Sequence, residues 1–241
     1  MPDDDIDIES LAKVMREKAE SPEQLAVMEG VIAHIKRAPP YYAALGRFVS
    51  KFAQVETILQ TSLWMIARTK PPVAPAIFNG LKIEGCLGAI KRIADAKNWS
   101  AKKKDRLEEI INRLGPINRL RNDILHYGAT IDLSAEDVWL LSNKRYVHIP
   151  QKIRESFITP ALLNDATADL DKLFYLIVFL ALSDRSPKSA RSVREALEPL
   201  RPQAQAHAWL YKSPPPIKTA GTNQKIRQKR ARQRPASRGK P

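Results

Sequence analysis

Apolar side chains recur at three- and four-residue steps along most of the chain, the spacing of amphipathic helices. Ile8, Leu11, Val14 and Met15 begin the pattern. Ser21-Pro22-Glu23 reads as a helix start, with Ser as cap and Pro at the first helical position. That helix is expected to run to about Arg37 and to be ended by Pro39-Pro40. A long helix is predicted over residues 42–68, where Leu45, Phe48, Phe52, Leu59, Leu63 and Ile66 form one stripe. Residues 70–75 read as a linker. A helix over 82–97 carries Ile83, Leu87, Ile90 and Ile93, and Asn98-Trp99-Ser100 breaks it. Ser100 can cap the next helix, whose Lys102-Lys103-Lys104 run reads as a solvated first turn.

The next stripe is Leu107, Ile110, Ile111, Leu114, Ile117, Arg121 and Leu125, stopping at Gly128. Gly115-Pro116 lies inside it, so either the helix bends there or Pro116 opens a second one. Residues 129–156 change character. The runs 138–141 and 145–149 are strand-like, and Ser142-Asn143-Lys144 suits a hairpin turn between them. Thr159-Pro160 starts another helix, with Leu162, Leu163, Ala166, Leu170, Leu173, Ile177 and Leu180 inward, stopping near Asp184. Residues 189–200 could hold a short helix. The fold class is therefore mainly α, with a small β-hairpin insertion near 129–156.

Composition narrows the setting. The longest apolar run, residues 173–182, is too short for the roughly 20 residues of a membrane helix, so no membrane partner is expected. A single cysteine, Cys86, excludes an intrachain disulfide and a thiolate zinc site, and fits a reducing, cytoplasmic compartment. The first ten residues are acidic and lack the parts of a signal peptide. His34, His126, His148 and His207 are scattered, so neither a metal nor another cofactor is expected. The formal net charge is +14, yet residues 201–241 alone hold eleven Lys or Arg and no acid, leaving +3 for the rest. This proline-rich tail is expected to be disordered. Its Lys225, Arg227, Lys229, Arg230, Arg232 and Arg234 point to a polyanionic partner, RNA or another nucleic acid.

Two charged residues interrupt apolar stripes. Glu56 falls between Phe52 and Leu59; it either sits at the margin and reaches water or faces an Arg or His in a partly buried polar site. Arg121 takes an apolar position and needs a partner. His126 follows five residues on, about 140° round a regular helix, so the two share a face only if the last turn opens before Gly128 or if two protomers meet. The pair suits RNA cleavage. An imidazole can take the ribose 2′-OH proton, and a guanidinium can hold the phosphate. Asn122 could orient either group, and Tyr127 could donate a hydroxyl or stack on a base. Trp64, Trp99 and Trp139 read as core or interface aromatics. Trp209 reads as a residue that docks on the domain or on a partner.

The segment Arg121-Asn122-Asp123-Ile124-Leu125-His126 resembles the HEPN motif: an Arg, a polar residue, a short spacer and a His near a helix end. The resemblance spans about residues 41–183. It implies an up-and-down helical bundle, usually a homodimer, and a metal-independent endoribonuclease that leaves 2′,3′-cyclic phosphate ends. Such proteins often belong to toxin–antitoxin, phage-defence or RNA-processing systems, so an antitoxin partner is conceivable. It implies Arg121 and His126 as the catalytic pair, Asn122 as helper and Glu56 as an acidic residue on an earlier helix; Tyr127 and Asp123, beside the pair in sequence, are candidate substrate contacts. The expected organisation is an N-terminal helical extension (1–40), a bundle (41–184), a short helix or linker (185–200) and the basic tail (201–241). Two other readings stand beside it. One is a non-catalytic bundle that binds nucleic acid or protein. The other is a structural dimer in which Arg121 pairs with Glu56 in the core.

Overall fold

The computed structural model of the protein describes residues 7–131, 138–144, 153–184, 191, 195, 198 and 208–215. Among them the order is α1 (Ile8–Glu17), α2 (Pro22–Ala67), α3 (Ala74–Phe78), α4 (Ile83–Ala96), α5 (Ala101–Tyr127), β1 (Ala129–Ile131), β2 (Trp139–Ser142), β3 (Glu155–Ile158) and α6 (Pro160–Leu182). Helices α2, α4, α5 and α6 form a bundle-like body in which each packs on two others, α2 against α6 most extensively. One core runs through it, from Phe48, Leu59 and Leu63 of α2 to Ile90 of α4, Ile110 and Leu114 of α5, and Leu163 and Leu170 of α6. The run 173–182, read as too short for a membrane, lies within α6. No described helix is long and apolar enough to cross a membrane.

Local chemistry sets the helix ends. Ser21 Oγ accepts from Gln24 N (3.2 Å) and Thr159 Oγ1 from Leu162 N (3.1 Å), each satisfying a donor that the first helical turn leaves open. Gly128, at φ 69°, stops α5 and turns the chain into β1.

Three expectations are corrected. Pro39-Pro40 does not end a helix: α2 is continuous over 46 residues, so the boundary placed between 40 and 41 falls inside one element. Proline's fixed φ is itself helical, and the cost is lost hydrogen bonds and crowding four residues back. Here one indole holds both sides of the pair. Trp139 of β2 stacks on Tyr41 (centroids 3.9 Å, 17°), and His34 and Tyr42 meet it edge-on at 5.5 and 6.0 Å. Pro116, where the sequence left open a bent helix or a new helix start, lies within one helix, α5. The insertion is a three-stranded antiparallel sheet, β1-β2-β3, rather than a lone hairpin. Its register sets Ala129 opposite Leu141 and Trp139 opposite Ile158. The predicted strand at 145–149 lies outside the described residues. Lastly, residues 208–215 of the supposedly disordered tail pack on the bundle. Tyr211 is buried in the main core, and Leu210 N and Tyr211 N both donate to the Asp169 carboxylate (2.9 Å each). A buried carboxylate needs donors of this kind, and two successive amides supply them.

Candidate functional site

The motif occupies the last two turns of α5. Ile117, Leu120 and Ile124 are buried and fix the helix against the body, which sets where its polar side chains project. Arg121 faces α2. Its guanidinium lies over the Phe52 ring at 5.3 Å, a cation–π contact, and its Nη1 donates to Asn122 Oδ1 at 3.0 Å. Among the described residues no carboxylate lies within ion-pair distance of Arg121. The core ion pair with Glu56 is therefore not formed. Glu56 is half-buried one turn from Phe52, and its charge adds to the burial that pushes the Cys86 thiol up. One turn before Asn122, the buried Asn118 donates to Glu84 of α4. Arg121, Asn122 and Glu56 thus border the junction of α2, α4 and α5.

His126 projects elsewhere. It is exposed, its ring 6.3 Å from that of Tyr127. Helix α5 remains regular through Tyr127, with Gly128 N donating to Ile124 O at 2.9 Å. The opened last turn that would swing His126 toward Arg121 is absent, and the helical pitch leaves them on different faces of one protomer.

His126 shares its side of α5 with Asp123. Burial pushes the Asp123 carboxyl above its ordinary value, opposed by the charges of Arg154, His126 and Arg119. A cavity of about 280 Å³ opens beside these residues, lined by Arg119 and Asp123 of α5, Arg154 and Ser156 at β3, and Tyr211 and Pro214 of the docked segment. That segment runs along α5 toward its C-terminal end. Trp209 lies between Arg113 (4.9 Å) and Lys172 (4.2 Å), and donates from Nε1 to Glu109 (3.3 Å). Tyr211 then reaches the level of Arg119 and Asp123.

The motif residues 121–127 therefore gather at one end of α5 but on two faces, and Arg121 lies over Phe52, one turn from Glu56 on α2. Lys225, Arg227, Lys229, Arg230, Arg232 and Arg234 lie outside the described residues. Arg119, Arg154 and Tyr211 escaped the sequence reading because the chain alone does not reveal which loop covers α5. Asp169 could have been found: like Glu56, it interrupts an apolar stripe, between Ala166 and Leu173. Among the described residues no group of three or more His, Cys, Asp or Glu side chains could hold a metal ion. No protein-family model, no curated protein and no solved structure matches the chain, so the functional reading rests on the residues themselves.

Proposed function

We propose that the protein is a HEPN-like endoribonuclease that acts as a homodimer, with Arg121 of one protomer and His126 of the other at each site. The observation that carries this reading is the Arg121 guanidinium, aimed by a neutral amide and an aromatic face and neutralised by no carboxylate among the described residues. A half-buried cation in that state has donors left for an anion, and a phosphodiester fits its planar fork.

In the proposed reaction His126 accepts the 2′-OH proton, and the 2′-oxygen forms a bond to phosphorus. Arg121 stabilises the charge gathering on the non-bridging oxygens. The bond from phosphorus to the 5′-oxygen breaks, and that oxygen leaves with a proton from a general acid. The products are a 2′,3′-cyclic phosphate and a 5′-hydroxyl. RNA supplies its own nucleophile, so none of these steps calls on a metal.

The test is RNA cleavage in EDTA with product-end analysis. His126→Ala should lower the rate by roughly 10²–10⁴-fold, the usual worth of a positioned acid or base. Mixing His126→Ala with Arg121→Ala protein should restore on the order of a quarter of wild-type activity, since half the dimers are mixed and each keeps one intact site. Cleavage undiminished in both variants would defeat the proposal; inactivity of the mixture would defeat the shared site.

A second reading, a non-catalytic nucleic-acid-binding bundle, draws on the separation of Arg121 and His126 within one protomer. It predicts no cleavage. It also predicts that removing residues 216–241 flattens the salt dependence of nucleic-acid binding.

A further inference from the structure

We propose that the cavity between α5, β3 and the docked segment seats one nucleotide of an RNA strand, with its phosphate on Arg119 and Arg154 and its base against Tyr211 and Pro214. The continuation of that strand to His126 rests on the ribonuclease reading; the seat itself does not.

The size fits a small occupant. Ligand pockets run roughly 300–1,000 Å³, and this one, at about 280 Å³, falls at the lower limit. Its walls are of mixed chemistry. Half-buried Pro214, with the small exposed part of the otherwise buried Tyr211, gives the hollow an apolar wall against which an unstacked base can lie. Arg119 and Arg154 offer two cations at the mouth, where a phosphate can stay partly in water. Asp123, close enough to feel both cations, supplies an acceptor on the same wall. A carboxylate can take two adjacent N–H groups from a base edge, which turns a phosphate-binding hollow into one that discriminates among bases. Asp123 also precedes His126 by three residues, one turn of the same helix, so the seat lies one step from the proposed base.

The wall formed by residues 208–215 is built to persist. Two backbone amides on the Asp169 carboxylate, together with the buried Tyr211, anchor it independently of any ligand.

The experiment is calorimetric titration of the full chain with the four nucleoside 3′-monophosphates, and with a short RNA made uncleavable by 2′-O-methylation. At least one monophosphate should bind saturably and compete with the oligonucleotide. Arg154→Ala should weaken both by tenfold or more, and Asp123→Asn should also change the preferred base. Absence of saturable binding, or affinities unchanged in both pocket variants, overturns the proposal. A monophosphate that binds without competing overturns the strand seat in favour of a free nucleotide. The two readings fail separately. Cleavage with unaltered base preference in Asp123→Asn and Arg154→Ala sinks the seat and spares the nuclease. Competitive, variant-sensitive binding without any cleavage sinks the nuclease and spares the seat.

Discussion

At Arg121 the protein holds a guanidinium by geometry: one amide oxygen fixes its plane and Phe52 supports its face. Lysine keeps the charge but not the fork, so on the proposed ribonuclease reading Arg121→Lys should fold normally and cleave RNA at least about tenfold more slowly, a difference that kcat at saturating RNA would reveal. Asp169 is the opposite case, a carboxylate 3% exposed whose two oxygens are both used by Leu210 and Tyr211. Asp169→Asn sets an amide N–H against a backbone N–H. Its expected cost is roughly 1.5–3 kcal/mol, seen in denaturant unfolding together with faster proteolysis within 208–215. Both residues were visible in the sequence in the same way, as charges inside apolar stripes, yet only their partners separate their roles. An unsatisfied guanidinium invites a ligand; a satisfied carboxylate fastens a strap. Periodicity reports that a charge faces inward and is silent about what meets it.

Among the elements, the helices with no proline beyond their first turn fell where the spacing put them: α4 within a residue of 82–97, and α6 from Pro160 to the approach of Asp184. The failures share a cause. At Pro39-Pro40 the local rule favoured a break, and a tertiary contact 100 residues away overruled it, because Trp139 grips His34 before the prolines and Tyr41 after them. An interior proline costs a helix roughly 3 kcal/mol or more, so Pro39→Ala with Pro40→Ala should raise the melting temperature. Trp139→Ala should lower it more in the wild type than in that alanine background, a non-additivity measurable as a double-mutant cycle. The sheet was legible as strand-like residues around 138–141 but not as a pairing. The partners of β2 lie on both sides of it in sequence, and Glu155–Ile158 has no strong alternation of its own.

Over the whole molecule, the far end of the bundle is pinned by Asp184, just past α6. It accepts from Lys97 (2.6 Å), Lys103 (2.9 Å) and Trp99 Nε1 (3.0 Å). Burial pushes its carboxyl up, but the hydrogen bonds and charges of the two lysines outweigh that and hold it below the ordinary 3.8. A carboxyl with a folded-state value lower than its unfolded one contributes stability in full above the unfolded value and loses it as pH falls through the folded one. Melting temperatures should therefore decline below pH 3.8. Asp184→Asn should start lower at neutral pH and converge with the wild type in acid. At the opposite end, the strap has a consequence for the nine Lys and Arg beyond Pro215. Because residues 208–215 travel toward the tip of α5, the polycation is tethered where the motif is. On the ribonuclease reading proposed above, phosphates drawn to those cations would be enriched near His126, so that capture of a polyanion and its presentation to the imidazole become one event.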